Sequence, residues 1–437
     1  MQPTVSNSET AQLELVPSQE NPQLEGKFAK KVVLGLLGKM KKGGLQLECE
    51  GGQVFFFGEV GQPITAKVKI HQDEEFFKRC AFYGNVGLGE AYTDGLWDAN
   101  DLRAVVSWFI LNVAAFEGAQ ASSSKLPGVN LLKLVSWVKH LKRSNTVENS
   151  RRNISEHYDL GNEFYQEWLD ETMTYSCALF EEADETFEAA QNAKYEALCR
   201  KLKLKEGEHV LEIGCGWGGF CAYAVKKYRC RITALTISQA QADYARERMK
   251  REGLEDLVEI RIQDYREVTG RFDKIVSIEM LEAVGDRFHE SFFGKCHEVM
   301  SEEGLLAVQM ITVPDCRYPA LRSGVDWIQR HIFPGSLLLS VGRVNQVLAK
   351  TGNLFLHDLQ DMGTNYVHTL ASWHQRFNQS EPRLRELGFD DAFMRSWNYY
   401  LKYCEAAFAT RNISVVQAVY TRPNNPALQK DFGILPA

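Results

Sequence analysis

The chain has 437 residues, of which 44% are hydrophobic and 24% charged, and this suits a globular protein with room for two domains. Its formal net charge of −7 argues against nucleic acid as a partner. The ten cysteines form no C-x-x-C pair and no zinc-ligand spacing, so we expect no metal and reduced thiols in a cytosolic protein. We find no signal-peptide pattern, and the longest apolar run, residues 108–116, is too short to cross a bilayer.

Residues 1–24 are polar and show no hydrophobic period, which predicts a disordered tail. From residue 25 to residue 143 we expect a smaller N-terminal α+β domain. It begins with a basic amphipathic helix over 28–42, and a helical pattern returns over 73–101. Between these helices, three short alternating runs predict strands of a small sheet: LQLECEG, QVFFFGE and ITAKVKI.

A second basic amphipathic segment, LLKLVSWVKHLKR, covers residues 131–143. Such a helix can lie in the headgroup layer of a membrane with its cations facing anionic lipid, or it can pack on its own domain. The sequence leaves both interpretations open. The polar residues 144–153 predict a linker to a second domain over 154–437.

Strands and helices alternate regularly in the second domain, which predicts an α/β fold with a doubly wound, mostly parallel sheet. In such sheets, ligands bind beyond the carboxyl ends of the strands. The predicted strands cover residues 209–213, 231–236, 257–262, 273–278 and 304–311, and the predicted helices cover residues 218–228, 238–252 and 287–300.

The first of these strands runs into a glycine-rich loop in the sequence LEIGCGWGGF. Glu212, Gly214, Gly216 and Gly218 give E-x-G-x-G-x-G, the usual first motif of S-adenosylmethionine methyltransferases, whereas a dinucleotide site requires G-x-G-x-x-G. Glycines let the backbone approach a ligand closely, and the following helix offers free N–H groups. The loop therefore predicts a nucleotide site, with a tight turn that binds nothing as the alternative.

Polar residues follow the next three strands, where a ligand is expected. Thr236 and Gln241 stand in for the acidic residue that commonly holds ribose hydroxyls. Gln263 and Tyr265 suit an adenine amino group and ring face. The run EMLEA at 279–283 places two carboxylates where methyl transfer would occur, although a surface turn with two glutamates has the same pattern.

Six motifs, in this order along the chain, resemble the cyclopropane-fatty-acyl-phospholipid synthases. They are HYDLGNEFY, MTYSCALF, LEIGCGWGGF, LTISQAQ, IFPG and YYLKYCEAAF. The similarity covers about residues 150–423 and, more loosely, 30–130. It implies the class I methyltransferase fold and an enzyme that adds the methyl of S-adenosylmethionine, as a methylene bridge, across a cis double bond in a phospholipid acyl chain.

The resemblance also implies a homodimer in the cytoplasm, peripheral to the inner membrane face, with an N-terminal domain that binds lipid. Methyl transfer to an alkene gives a carbocation, and the former methyl must lose a proton before the ring closes. In this family a bound bicarbonate ion is thought to be the base. A pocket that excludes water would protect the cation, and aromatic residues are dense from residue 327 to residue 408.

By resemblance, the bicarbonate pocket maps onto Cys177, Glu282, Tyr366 and Cys404, with Glu282 as the carboxylate that anchors the anion network. Gln309 stands where many members have a histidine. Glutamine can donate a hydrogen bond to bicarbonate but cannot take up a proton. We therefore expect the ion itself to remove the proton.

Nine residues are expected to bind S-adenosylmethionine. They are Tyr175 and Ser176 at the methionine end, Gly214 and Gly216 through their backbone, Thr236, Ile237 and Gln241 at the ribose, and Gln263 and Tyr265 at the adenine.

Two alternatives to a cyclopropane synthase remain open. A related enzyme could take the same cation to a methyl-branched or methylenated acyl chain, and Gln309 is compatible with that outcome. The other alternative is a non-catalytic lipid-binding scaffold with a relic cofactor fold. The joint presence of Cys177, Glu282, Tyr366 and Cys404 speaks against a relic.

Overall fold

The computed structural model describes residues 14–16, 28–112, 160–182 and 185–429. The chain divides into two compact units, unit one with Met1–Asn130 and Ala392–Tyr399, and unit two with Leu131–Asp391 and Tyr400–Ala437. The predicted helix 131–143 and the predicted linker 144–153 lie outside the described residues, so both stay predictions.

Residues 392–399, which the sequence pattern placed in the second domain, group with unit one. The Arg395 side chain donates hydrogen bonds to the backbone oxygens of Tyr92 at 2.6 Å and Trp97 at 2.8 Å. No local sequence pattern predicts that residues 392–399 group with unit one, because this depends on contacts between residues about 300 positions apart in the chain.

Unit one contains a four-stranded sheet and three long helices among its described residues. The helices are α1 Phe28–Leu37, α2 Asp73–Thr93 and α3 Leu102–Leu111, and the strands are β1 Gly44–Glu48, β2 Val54–Phe57, β3 Ile64–Ile70 and β4 Trp97–Ala99. The strand order is β2-β1-β3-β4, with β1 and β3 parallel and the other two pairs antiparallel. The three predicted strands and the α+β class are confirmed, and α1 ends before Gly38, a poor helix former.

The prediction of a disordered tail does not hold for residues 14–16. Leu15 forms a β-bridge with Pro63, and the Val16 amide donates to the Gln62 carbonyl at 2.9 Å. The Val16 side chain is buried, with 5% exposure. The rest of residues 1–24 lies outside the described residues.

Unit two contains the larger sheet. Its strands are β5 His209–Ile213, β6 Arg231–Thr236, β7 Val258–Ile262, β8 Phe272–Ile278, β9 Met300–Thr312, β10 Phe355–Asp361 and β11 Ser414–Thr421. Its helices are α4 Asn162–Gln166, α5 Phe187–Lys201, α6 Gly219–Tyr228, α7 Gln239–Arg251, α8 His289–Val299, α9 Tyr318–Ser323, α10 Trp327–His331, α11 Val341–Thr351, α12 Gly363–Gln379, α13 Glu381–Glu386, α14 Asp391–Ala409 and α15 Pro426–Gln429, with residues 392–399 of α14 grouped with unit one.

The seven strands are ordered β10-β11-β9-β8-β5-β6-β7. Strands β5 to β9 pair in parallel, and β11 joins them antiparallel to β9 with β10 antiparallel at the edge. The prediction of a doubly wound, mostly parallel sheet is confirmed. The two antiparallel strands were not predicted, because β10 is a largely exposed edge strand and β11 is buried along its length, so neither shows the alternation of a half-buried strand.

Apolar residues cover both faces of this sheet. On β5, Val210 packs with one buried cluster and Leu211 with another, since successive side chains of a strand point to opposite faces. The first cluster includes Phe220 of α6 and Met249 of α7, and the second includes Phe293 of α8. Helices therefore cover both faces of the sheet. Because β5 to β9 are parallel, their carboxyl ends lie at one common edge.

Within the part of the chain that the structure describes, no helix is long and apolar enough to cross a membrane.

Candidate active site

A cavity of about 400 Å³ opens at the carboxyl ends of the parallel strands of unit two. Of the fourteen predicted site residues, all except Cys177 and Gln309 line it, and these two are buried with no exposed surface. The polar lining comes mainly from the strand ends. The apolar lining comes mainly from residues 311–338 and from helices α12 and α14. The sequence therefore located the cavity, while the roles of the individual residues stay predictions.

The glycine-rich loop adopts a backbone that leaves space for a ligand. Gly214 and Gly216 have φ of +85° and +52°, a region that glycine enters without steric cost. A Cβ at Gly214 would lie 2.6 Å from Met280 Cγ, whereas a Cβ at Gly216 would have no atom within 4 Å and would enter the cavity. The open space at Gly216 fits a cofactor that lies against the loop backbone.

Two of the three residues predicted at the ribose are hydrogen-bonded to each other. Thr236 Oγ1 donates to Gln241 Oε1 at 2.9 Å, and both side chains are buried. Gln241 sits in the first turn of α7, which Ser238 caps by accepting from the Gln241 amide at 3.3 Å. Ile237 lies between them and lines the same part of the cavity. This arrangement leaves the side-chain NH₂ group of Gln241 as a potential donor to ribose hydroxyls.

Shortly after the end of β7, Tyr265 is the first residue of a 3₁₀ turn, Tyr265–Glu267. Its ring lies 5.4 Å from the guanidinium of Arg266 and packs edge-on against Phe292. The Gln263 side chain donates to the Glu267 carbonyl at 3.1 Å. A flat face held this way suits an adenine ring, as the sequence predicted.

Aromatic rings form the wall near the predicted methionine end. The hydroxyls of Tyr175 and Tyr400 are 2.8 Å apart, and the ring of Phe333 lies 6.3 Å from Tyr175 and 5.7 Å from Tyr400. Cys404, one turn farther along α14, also lines the cavity, and burial raises the pKa of its thiol. A neutral thiol among aromatic faces keeps this part of the cavity apolar, and the faces can stabilise a cation.

Glu279 lies at the centre of the hydrogen-bond network that the sequence assigned to Glu282. Its Oε1 accepts from the Cys177 amide at 2.9 Å and from Gln309 Nε2 at 2.8 Å. Its Oε2 accepts from the Tyr366 hydroxyl at 2.5 Å. Three of the predicted bicarbonate-binding positions thus bind a carboxylate of the chain itself.

The strand register explains why Glu279 reaches these groups. Ile278, the last residue of β8, pairs with Gln309 of the neighbouring parallel strand β9, and the Glu279 amide donates to the Gln309 carbonyl at 2.8 Å. Glu279 has φ of +49°, which is uncommon for a residue other than glycine. This turn at the strand end directs its side chain back toward Cys177 and Tyr366.

Glu282 is held differently, one short turn later. Its Oε1 accepts from the Ile311 amide at 2.5 Å, and its Oε2 has no hydrogen-bond partner among the described residues. Burial, with repulsion from Glu279 as a smaller cause, raises the pKa of Glu282 to about 8. The donors of Cys177, Gln309 and Tyr366 contact Glu279 and not Glu282, so the role of Glu282 in anchoring an anion stays a prediction. Any other catalytic role of Glu282 stays a prediction.

The protonation of Glu279 reflects opposing effects. Burial raises its pKa, while the hydrogen bonds from Tyr366, Gln309 and the Cys177 amide, and the charge of Lys194, oppose this rise. Lys194 is fully buried and donates to Ser176 Oγ at 2.7 Å, and burial lowers its own pKa to about 8. The site thus holds a buried carboxylate with a compensating cation behind it.

Sequence reasoning missed the position of Glu279 in the network although it noticed its carboxylate. The available signal was that Glu279 is the first residue after β8, where ligands of parallel sheets bind. Lys194 and Gln417 were missed as well, since Lys194 is one of many polar residues on its helix and Gln417 lies in an otherwise apolar strand. Chemically, the arrangement can accept a proton from a cationic group in an apolar, aromatic cavity.

Several known proteins are similar to this chain in sequence. The family model described as mycolic acid cyclopropane synthetase matches residues 145–418. The chain is 35% identical over 371 residues to tuberculostearic acid methyltransferase UfaA1 of Mycobacterium tuberculosis, covering 83% of this chain and 85% of that protein. It is also 35% identical over 365 residues to cyclopropane-fatty-acyl-phospholipid synthase of Escherichia coli, covering 82% of this chain and 88% of that protein.

Solved structures show the same fold. The cyclopropane synthase MmaA2 from Mycobacterium tuberculosis superposes with a TM-score of 0.58 at 28% identity, over 62% of this chain and 98% of that chain. Mycolic acid cyclopropane synthase CmaA1 in complex with SAH and CTAB gives a TM-score of 0.58 at 27% identity, with the same coverage.

Proposed function

This chain belongs to the mycolic acid cyclopropane synthetase family, and on that premise we propose that it builds a cyclopropane ring on an unsaturated phospholipid. It is an S-adenosylmethionine-dependent methyltransferase of the class I fold. The proposed reaction adds a methylene group across the cis double bond of an acyl chain.

One observation carries this proposal. A single cavity joins the glycine-rich loop to an apolar wall and has the Glu279 carboxylate on its lining. The loop end offers backbone and polar side chains for a nucleoside, and the wall offers Phe333, Tyr400 and Phe408 to an acyl chain. Glu279 accepts a hydrogen bond from Tyr366, whose ring packs against Phe408 of the apolar wall, and this supports the proposal that the sulfonium and the alkene meet near Glu279.

The cofactor, when bound, supplies a methyl group on a positively charged sulfur. The π electrons of the alkene form the new C–C bond, and the S–C bond breaks with its electrons left on sulfur. The resulting carbocation lies in a cavity whose aromatic faces favour a cation and whose apolar lining keeps out water. Ring closure then requires an anion that takes one proton from the transferred carbon. Bicarbonate is the ion that the family resemblance implies for this step, in a pocket predicted at Cys177, Glu282, Tyr366 and Cys404 with Gln309 beside it.

A second candidate function is a methylenated or methyl-branched product from the same cation. Two observations favour keeping it: Gln309 replaces the family histidine, and one relative is named a tuberculostearic acid methyltransferase. For the methylenated chain, a 1,2-hydride shift first moves the positive charge to the carbon that bears the new methyl group, and loss of a methyl proton then forms the double bond. A saturated methyl branch requires in addition a separate reductant that supplies a hydride.

The decisive assay incubates the purified protein with S-adenosylmethionine and vesicles of a phospholipid with cis-monounsaturated chains. We expect acyl chains that are one methylene heavier and resist ozone. Heavier chains that ozone cleaves would establish the methylenated product instead. Protein that binds S-adenosylmethionine but never modifies a lipid would contradict both candidate reactions. Protein that binds lipid vesicles but not S-adenosylmethionine would support the non-catalytic lipid-binding scaffold.

We further propose that the enzyme works as a homodimer in the cytoplasm, at the inner membrane face, with residues 25–143 as its lipid-binding domain. Neutralising Lys139, Lys142 and Arg143 should weaken binding to anionic vesicles in a salt-sensitive way, because surface charge attraction is screened by salt. A matched control neutralises Lys205, Arg231 and Lys250, exposed residues of unit two. Equal loss in both variants would contradict a specific role for residues 131–143.

A further inference from the structure

Glu279 fills, with its own carboxylate, the position for which the sequence predicts a bound anion. Its two oxygens accept the hydrogen bonds of the Cys177 amide, the Gln309 amide group and the Tyr366 hydroxyl. We propose that Glu279 is itself the base that removes the proton, and that this enzyme needs no bicarbonate. The proposal rests on the proposed function and names the residue that completes its chemistry.

The donors around Glu279 are fully used. Gln309 Nε2 donates to Glu279 and, at 3.1 Å, to the Cys177 carbonyl, which accounts for both of its N–H bonds. Gln309 Oε1 accepts from Gln417. The Cys177 amide and the Tyr366 hydroxyl each have one hydrogen, and each donates it to Glu279. A second anion here would find none of these donors and would be repelled by the carboxylate.

The position of Glu279 is suited to contact with the substrate. It lines the cavity, so the part of its surface that remains accessible faces the space where the acyl chain must lie. Burial raises the pKa of this carboxyl, which makes it a stronger proton acceptor than a carboxylate in water. The hydrogen bonds hold it in place without protonating it.

The backbone conformation is a second sign of function. Glu279 has φ of +49°, a backbone conformation that is sterically unfavourable for a residue other than glycine. Such strain persists where the side chain is needed. Glycine adopts this backbone conformation without steric cost, so Glu279→Gly should remove the carboxylate without straining the backbone.

The step balances as follows. One Glu279 oxygen forms an O–H bond with a proton of the transferred carbon. The electrons of the broken C–H bond form the last C–C bond of the ring and neutralise the carbocation. Glu279 becomes a neutral carboxylic acid, and it returns the proton to solvent after the product leaves.

The first experiment measures methyl transfer by wild type, Glu279→Gln and Glu279→Gly in buffer freed of carbon dioxide, with and without millimolar bicarbonate. Wild type should be equally active in both buffers. Glu279→Gln should be slower by about 10²- to 10⁴-fold, the usual contribution of a general base. Glu279→Gly should be inactive without bicarbonate and regain activity with it, because the Cys177, Gln309 and Tyr366 donors become free to hold the ion.

The second experiment uses no lipid, so it tests whether Glu279 occupies the anion-binding position even if the proposed function is wrong. Binding of ¹³C-labelled bicarbonate is measured by NMR for wild type, Glu279→Gly and the control Asn424→Gly. Asn424 is exposed and has φ of +59°, so the control makes the same backbone change away from the cavity. We expect binding only by Glu279→Gly, with retained S-adenosylmethionine affinity as evidence of folding.

Three results would overturn the proposal. They are wild-type activity that requires added bicarbonate, full activity of Glu279→Gln, and a folded Glu279→Gly protein that binds no more bicarbonate than Asn424→Gly. A wild type that transfers no methyl to any lipid would instead overturn the proposed function.

Discussion

Gln417 Nε2 donates a hydrogen bond to Gln309 Oε1 at 3.1 Å from the directly opposite position on the antiparallel neighbour β11. Gln417 Oε1 in turn accepts from Lys201 Nζ at 2.5 Å. A lysine ammonium only donates and an ionised Glu279 only accepts, so both amides between them have one possible orientation. This relay directs the Gln309 amino group at Glu279.

Substituting Gln417 should change catalysis without touching the cavity. Gln417→Leu removes the hydrogen bond that orients Gln309, worth about 1 kcal/mol, together with those to Lys201 and the Lys194 carbonyl. It should lower kcat about fivefold with KM for S-adenosylmethionine unchanged. Gln417→Glu should be slower by roughly a further tenfold, because an acceptor at this position turns the Gln309 oxygen toward Glu279. Steady-state kinetics checks both, and equal rates for the two variants would contradict the relay.

Tyr366→Phe should shift the pH dependence of catalysis. The Tyr366 hydroxyl favours the charged form of Glu279, so its removal raises the Glu279 pKa above an already raised value. A base must be deprotonated to act, and a higher pKa means that activity is lost at a higher pH as the solution is acidified. The acidic limb of the kcat/KM profile should therefore move upward, while packing on Phe408 at 4.3 Å between ring centroids is kept. An unmoved limb would show that the hydroxyl does not act through Glu279.

Glu282→Gln should make the protein relatively more stable as pH rises. The folded-state pKa of Glu282 is about 8, against 4.5 for the ordinary carboxyl. Between these values the folded protein keeps a proton that the unfolded chain has lost, so stability falls with rising pH. Glutamine cannot ionise, so the stability difference between variant and wild type should grow by about 3 kcal/mol from pH 5 to pH 8. Urea unfolding measures this, with the exposed Glu290→Gln as the control, and parallel curves would contradict it.

Alanine at two loop glycines should have separable effects. Gly214→Ala places a methyl group 2.6 Å from Met280 Cγ and should lower the melting temperature. Gly216→Ala meets no protein atom within 4 Å but enters the cavity, so it should weaken S-adenosylmethionine binding by about tenfold or more, beyond a strain cost of about 1–2 kcal/mol. Calorimetry and thermal unfolding together distinguish the two. Unchanged S-adenosylmethionine affinity in Gly216→Ala would contradict the assignment of Gly216 to the cofactor.

The positions of the strands and helices around the site followed from local sequence. Strands β5 and β6 match their predicted bounds, α6 begins one residue later than predicted, and α7 is one residue shorter than predicted at each end. Hydrophobic period and glycine placement are short-range properties, and a parallel sheet places every strand end at the same edge. For these reasons the sequence also located twelve of the residues that line the cavity.

Which carboxylate occupies the centre of that cavity was decided by tertiary structure alone. Glu279 and Glu282 lie three residues apart and look equivalent in the sequence. Only the register of β8 against β9, and the packing that delivers Tyr366 from α12, place the donors on Glu279 and leave Glu282 with the Ile311 amide. The hydrogen bonds to Glu279 come from residues as much as 102 positions away in the chain, so the identity of the base is a property of the fold and not of any one motif.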